Sequence, residues 1–272
     1  MTDRPGATSG ASADRKIFYG WWIVAAGSVL NALGGGTYWL GFSVYFLPVT
    51  RDLGLSRAAT SLAYGLGRLE GGLEGPLAGY AVDRLGPRTM IAFGGLLAGT
   101  GFILLSQTHT FTTFLLVYIG VLAMGMNAGF NHGIMAAVNQ WFIRRKGLAM
   151  SFATMGISIG GTVITPAVAY IVLTQGWRTG AVISGLVIIA AVIPLSLVVR
   201  RSPETMGLLP DGDRSPPVVA RSPSPTSSLR FARHVTAVDF TAKEALKTPT
   251  YWLLALAMGL RIAAHTGVFV HL

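Results

Sequence analysis

Three ionisable side chains lie in the middle of one long apolar stretch and are the residues best suited to chemistry. Arg68, Glu70 and Glu74 are the only charges between residues 58 and 82. A guanidinium in such surroundings can hold an anion, and a carboxylate can carry a proton. On a helix, Glu70 and Glu74 share one face, whereas Arg68 is turned about 200° from Glu70. An ion-pair network that only fixes packing is the alternative interpretation, and both stay open.

Four more polar side chains interrupt other apolar stretches. Asn127, Asn131 and His132 lie in an uncharged stretch, and Arg261 lies in the last apolar stretch. His132 can pass protons because imidazole titrates near neutral pH, although a neutral histidine bonded between helices is the alternative. Arg261 can hold an anion or pair with a neighbouring helix. We predict contacts to an anionic substrate at Arg68, Arg261, Asn127 and Asn131, and proton coupling at Glu70, Glu74 or His132.

The elements that must position these residues are membrane-spanning helices. Only 12% of the 272 residues are charged and 51% are apolar, whereas a soluble domain carries about 25% charged residues. No charge occurs between Arg88 and Arg144, which leaves 55 uncharged residues, enough for two spans of about 20 residues each. The absence of cysteine excludes disulfides and cysteine-based metal sites. We predict an all-α membrane protein without a metal or cofactor.

Seven helices are predicted from the uncharged runs and the turn-like residues between them. They cover residues 20–47, 57–82, 88–108, 112–142, 146–174, 178–200 and 250–272. Residues 1–17 read as a tail and residues 201–248 as a linker, largely disordered because its Pro, Ser and Arg content cannot bury a core. A short helix is expected near the end of the linker, at residues 241–247.

The distribution of Lys and Arg predicts the orientation of these helices. Sixteen of the 21 basic residues fall in segments on one side of the membrane and three on the other, and Arg68 and Arg261 lie within spans. Short loops rich in Lys and Arg stay in the cytoplasm. We therefore predict a multi-pass protein of the cell membrane with a cytoplasmic N-terminus and linker. The bias also accounts for the net charge of +10 without a nucleic-acid partner.

Glycine recurs at every fourth position in three of the predicted helices. Helices embedded in lipid approach closely where side chains are small, so close packing is expected at these positions. A surface on which helices rock is the alternative. The glycines concerned are Gly71, Gly75 and Gly79, then Gly125, Gly129 and Gly133, then Gly156 and Gly160.

A short charged turn joins the second and third predicted helices. It runs GYAVDRLGPRT over residues 79–89, and Pro87 suits the first turn of the helix that follows. The spacing G-x-x-x-D-R-x-G-x-R resembles the loop between helices two and three of the major facilitator superfamily. Residues 141–151, WFIRRKGLAMS, together with the FYGWW opening at residues 18–22, are similar to the monocarboxylate and oxalate/formate branch of that superfamily.

The resemblance implies both a fold and a function. The fold would be the six-helix N-terminal half over residues 18–200, the cytoplasmic linker over 201–248, and the first helix of the second half over 249–272. Five further helices would be expected in a complete relative, so the chain reads as C-terminally truncated. The function implied is secondary active transport of a small organic anion, such as a monocarboxylate, by alternating access.

The family comparison also implies that the two charged turns form a conformational motif. Asp83 would accept hydrogen bonds from Arg144 or Arg145 in one state and release them in the other. A solvated turn that only enforces topology is the alternative. The residues of this motif are Gly79, Asp83, Arg84, Gly86, Arg88, Arg144 and Arg145.

Two other classes of protein fit the sequence less well. A seven-helix receptor or retinal sensor is the first, but residues 248–272 contain no lysine for a Schiff base, and the charge bias places the N-terminus inside. A membrane enzyme is the second, but no nucleophile–base pair or metal-ligand constellation is recognisable. We predict that the chain is not an enzyme.

Overall fold

The computed structural model describes residues 17–212, residue 244 and residues 247–271, and every regular element in these residues is helical. The all-α prediction is therefore confirmed. The predicted tail, most of the predicted linker and most of the short helix at residues 241–247 lie outside the described residues. The chain divides into two compact units, Met1–Val218 and Val219–Leu272.

The described residues form nine α-helices, and short π-helical segments extend two of them. A π segment, Gly35–Trp39, continues α1, and two more, Tyr118–Ala123 and Met126–Gly133, join α5 to α6 as one rod, Phe111–Trp141. We call it the fourth rod because it corresponds to the fourth predicted helix. The helices are α1 (Gly20–Gly34), α2 (Phe42–Asp52), α3 (Arg57–Leu85), α4 (Pro87–Leu105), α5 (Phe111–Val117), α6 (Ile134–Trp141), α7 (Lys146–Gln175), α8 (Trp177–Val198) and α9 (Pro249–His271). Between residues 57 and 200, the predicted ends lie within about three residues of these bounds.

Within the part of the chain that the structure describes, four continuous helices are long and apolar enough to cross a membrane. They are Pro87–Leu105, Phe111–Trp141, Lys146–Gln175 and Trp177–Val198. Residues 20–52 are divided between α1 and α2, and α3 carries three charges in its middle. The count of six spans plus a seventh therefore stays a prediction.

Local capping explains where the helices begin and end. The Ser56 side chain accepts from the backbone N–H of Ala59 at 3.1 Å and so caps α3. Gly86 ends α3 with a φ of 81°, a left-handed conformation that favours glycine, and Pro87 opens α4 at once. The tight turn predicted at these two residues is thus present.

Close backbone contact between α1 and α7 holds one side of the bundle. The Asn31 side-chain amide donates to the carbonyl of Ala153 at 2.9 Å. A Cβ added to Gly156 or Gly160 would collide with the backbone carbonyl of Ser28 or Ala32, respectively. Only glycine allows the two helices to approach this closely. We call this contact the α1–α7 glycine seam.

A second glycine seam runs along α4. Gly94 lies against the backbone of Gly129, and Gly125 lies against that of Ala98. The packing prediction is therefore confirmed for six of the eight glycines in the repeat, namely Gly71, Gly125, Gly129, Gly133, Gly156 and Gly160. It is wrong for Gly75 and Gly79, where a Cβ would meet nothing within 4 Å among the described residues.

A polar network ties the helix ends that lie opposite the Gly86 turn. Arg178, at the start of α8, forms an ion pair with Asp52 at the end of α2. The same guanidinium donates to the carbonyl of Thr108 at 2.8 Å, and the indole of Trp177 donates to Asp52 at 3.1 Å. Three separate parts of the chain are thus fixed at this end of the bundle.

Gly160→Ala should destabilise the bundle. The added methyl group would force α1 and α7 apart, and overpacking of this kind costs about 1–3 kcal/mol. Gly75→Ala is the matched control, since it also replaces a helical glycine but in open space, where alanine is favoured by up to about 1 kcal/mol. Thermal unfolding in detergent should show a lower midpoint for Gly160→Ala only, and equal midpoints would contradict the seam.

Candidate functional site

Two acidic residues of α3 meet the polar residues of the fourth rod. The side-chain amide of Asn127 donates to Glu70 at 3.1 Å. Glu74 is only 7% exposed, and its Oε2 atom has no hydrogen-bond partner in the described part of the chain. The structure therefore brings together Glu70, Glu74, Asn127 and His132, which we call the acidic cluster.

The local fold explains why these side chains can meet. Asn127 and His132 lie in the π segment Met126–Gly133, where the helix is wider than a regular α-helix. Gly71 faces this segment, and a Cβ there would lie 2.5 Å from the Asn127 amide nitrogen. The imidazole of His132 lies close to the backbone of Gly71 and to the charge of Glu70, and its buried Nε2 has no partner among the described atoms.

Arg68 points away from the acidic cluster, as its position on the helix predicts. Its guanidinium donates to the Tyr64 hydroxyl at 2.6 Å and lies 5.1 Å from the centre of that ring. The Tyr64 ring in turn stacks on Phe42 with 4.7 Å between centroids. Arg68 is exposed, and no carboxylate in the described residues forms an ion pair with it. The guanidinium thus stands at the open edge of an aromatic patch.

The other two predicted substrate contacts, Asn131 and Arg261, lie on separate elements. Asn131 is half-buried in the π segment, and none of the described residues forms a hydrogen bond with its side chain. Arg261 is exposed on α9, which belongs to the second compact unit. Their roles as substrate contacts stay predictions.

The charged turn between α3 and α4 is held by its backbone and by aromatic contact. Arg201 donates to the backbone carbonyl of Asp83 at 3.2 Å. The guanidinium of Arg84 lies 4.8 Å from the centre of the Tyr80 ring, and Arg88 is exposed. The second charged turn, residues 142–145, lies between α6 and α7. The hydrogen bond expected between Asp83 and Arg144 or Arg145 of this second turn stays a prediction.

A residue that the sequence analysis missed binds that second turn. The carboxylate of Asp211 accepts from the backbone N–H groups of Ile143 at 3.1 Å, Arg144 at 2.8 Å and Arg145 at 3.2 Å. Partial burial raises the pKa of Asp211, but the bonds from Arg144, Arg145 and Ile143 and the positive charge of Arg144 outweigh it and hold the pKa below the usual 3.8. The carboxylate is therefore ionised at neutral pH.

The start of the predicted linker contains regular turns. Residues 201–212, assigned to a largely disordered segment, contain two short 3₁₀ turns, Pro203–Met206 and Pro210–Gly212. They are ordered because Pro203 is buried, Leu208 packs on the core, and Asp211 binds the second turn. The sequence Pro210-Asp211-Gly212 is a typical turn signal, and it could have indicated structure here.

Known proteins resemble this chain over most of its length. It is 26% identical over 250 residues to an oxalate:formate antiporter of Oxalobacter formigenes, covering 92% of this chain and 52% of that protein. It is 31% identical over 170 residues to monocarboxylate transporter 6 of Mus musculus, covering 60% of this chain and 35% of that one. The chain spans about half the length of the first relative and about a third of the second.

Apolar helices long enough to cross a membrane, with ionisable groups in the middle of α3, are typical of multi-pass membrane proteins that carry solutes. Residues 24–272 match the model of the Major Facilitator Superfamily, and the chain belongs to that family. The resemblance to its monocarboxylate and oxalate/formate branch is confirmed by these relatives. They are named as transporters, in agreement with the expectation that the chain is not an enzyme.

Asn127→Ala should loosen the contact between α3 and the fourth rod. Hydrogen bonds between membrane helices contribute about 0.6 kcal/mol on average and up to about 1.7 kcal/mol, and the variant leaves the Glu70 carboxylate without its donor. Asn139→Ala, at an exposed position of α6, is the matched control. The thermal midpoint should fall for Asn127→Ala and stay constant for Asn139→Ala; no difference between the two would show that the bond is not a stabilising one.

Proposed function

We propose that this chain is the N-terminal part of a secondary active transporter that moves a small organic anion, such as a monocarboxylate, by alternating access. The observation that carries the proposal is Arg68, an exposed guanidinium in mid-helix without a carboxylate partner among the described residues. A charge at that position of a spanning helix is costly unless it serves a wet cavity or a ligand. The names of the relatives, which include oxalate, formate and monocarboxylates, support an anionic substrate.

Arg68 is the first contact to the substrate carboxylate, and Arg261 is its counterpart in the second half. The aromatic patch beside Arg68 keeps water from screening the guanidinium on that side, which strengthens its attraction for an anion. Asn127 and Asn131 supply further polar contacts from the fourth rod. The lipid bilayer surrounds the bundle, the N-terminus is cytoplasmic, and further helices complete the cavity.

The acidic cluster couples transport to protons in this proposal. Glu74 is buried and Glu70 is half-buried one helical turn away, and two such carboxylates are easier to accommodate when one of them holds a proton. Glu74 is the candidate carrier because its Oε2 atom is buried and has no hydrogen-bond partner in the described residues. Glu70 is fixed by Asn127, and His132 can exchange protons with the pair.

The alternative of a seven-helix receptor or sensor receives no support from the relatives, which are named as transporters. An open guanidinium on one side of α3 and an acidic cluster on the other serve ion movement more directly than signalling.

Replacing Arg68 tests the anion site. In the protein expressed in its full reading frame, Arg68→Ala should lower uptake of labelled oxalate, formate, lactate or pyruvate by about tenfold or more, because a charge-assisted hydrogen bond contributes about 1.5–3 kcal/mol. Arg68→Lys should retain part of the activity because it keeps the charge. Arg57→Ala, an exposed arginine at the start of α3, is the control. Normal uptake by Arg68→Ala at equal surface abundance would remove the anion site.

Replacing Glu74 tests proton coupling separately. Glu74→Gln keeps the shape of the side chain but cannot release a proton, so an imposed proton gradient should no longer accelerate uptake. Exchange of internal for external substrate should continue, because the anion site is intact. Glu204→Gln, at an exposed position outside the helices of the bundle, should behave like the unmodified protein. A variant at residue 74 that still responds fully to the gradient would contradict the assignment.

A further inference from the structure

The segment after α8 folds back across the end of the bundle where the Gly86 turn lies. We call residues 198–212, which begin with the last residue of α8, the strap. Its first contacts are backbone carbonyls: that of Val198 accepts from the Tyr19 hydroxyl at 2.7 Å, and that of Arg200 accepts from the Trp141 indole at 3.1 Å. Arg201 then reaches the carbonyl of Asp83. The strap therefore touches the beginning of α1, the end of α3 and the end of α6.

The strap ends on the turn that precedes α7. Asp211 accepts there from three consecutive backbone N–H groups, with Oδ2 serving Ile143 and Arg144 and with Oδ1 serving Arg145. Such bonds to an ionised acceptor are shorter and stronger than neutral ones. The turn carries two arginines of the conformational motif, so the carboxylate fixes the backbone from which both side chains project.

The turn cannot supply this capping from its own residues. Arg145 stands at the N-cap of α7, and its side chain makes no capping hydrogen bond. Ser, Thr, Asp and Asn are the residues that normally cap from this position. Asp211, 66 residues further along the chain, takes over a comparable task, and its negative charge also suits the positive end of the α7 dipole.

The backbone of Asp211 is shaped for this contact. Its φ is 60°, and it is the one non-glycine residue with a positive φ in the described part of the chain. Asp and Asn tolerate that conformation better than other side chains. The strap thus holds a less favourable backbone conformation at the point where the carboxylate meets the turn.

From these contacts we infer that Asp211 is a positioning residue, which sets the geometry of the Arg144–Arg145 turn and through it the rate of the conformational change. The rate effect rests on the proposed transport function, whereas the positioning effect does not. The two can therefore fail independently.

Amide hydrogen exchange at residues 143–145 measures the positioning directly. The unmodified chain in lipid nanodiscs should protect all three amides. Asp211→Asn keeps the backbone preference and one acceptor oxygen, so Ile143 and Arg144 should stay protected while Arg145 exchanges about tenfold faster. Asp211→Gly accepts the positive φ without strain but has no acceptor, so all three amides should exchange about tenfold faster or more.

Two controls separate positioning from general loosening. Glu204→Gln changes an exposed carboxylate in the same strap and should leave the exchange of residues 143–145 unchanged. Amides in the middle of α7 should remain protected in every variant, since the α1–α7 seam does not involve the strap. If Asp211→Gly fails to fold, the Asn variant still provides the test at Arg145.

Transport kinetics provide the second readout. In the full reading frame, Asp211→Asn should lower the maximal uptake rate several-fold and leave the KM unchanged, because no substrate contact is altered. Unchanged exchange at residues 143–145 in the Gly variant would overturn the positioning role. Lost protection with an unchanged maximal rate would overturn its link to the conformational change.

Discussion

Lipid offers no hydrogen-bond partner to a polar group and gives helices no hydrophobic reason to associate, so contact between backbones has to hold this bundle together. The glycine seams meet that constraint. At Gly156 and Gly160, α7 comes so near to α1 that carbonyl groups occupy the space of the missing side chains. The bond from Asn31 to the backbone of α7 then fixes the register of the two helices. The polar contacts between helices described above depend on rods held close together.

Within this frame α3 has two chemically different sides. One side carries Glu70 and Glu74 and packs on the widened π segment of the fourth rod. The other side carries Arg68 beside aromatic rings and is open in the described part of the chain. Opposite charges on one helix are thus kept from pairing with each other by the helical repeat alone. A buried proton carrier and an anion contact can coexist a few residues apart because neither neutralises the other.

Much of the fold could be predicted from the sequence, because helix ends are local events. The turn at Gly86 and Pro87 needs only the residues of that turn, and the separation of Arg68 from the glutamates needs only the helical period. The pairing of Asn127 with Glu70 could not be predicted, because it depends on the relative register of two helices and on a π segment without a local signal. Asp211 was missed for a related reason, since its partners are distant in sequence and the composition around it is typical of a linker.

The anchoring of Asp211 has a mechanical consequence. A chain that left the bundle at the end of α8 would transmit tension to that helix and to the rods packed beside it. Here the strap is fastened at Val198, Arg200 and Arg201 and ends against residues 143–145. A pull on the polypeptide beyond Gly212 is therefore delivered first to the start of α7, through the three hydrogen bonds that a single carboxylate accepts. Force is thus transmitted through the hydrogen bonds of the strap, and not along the chain from one helix to the next.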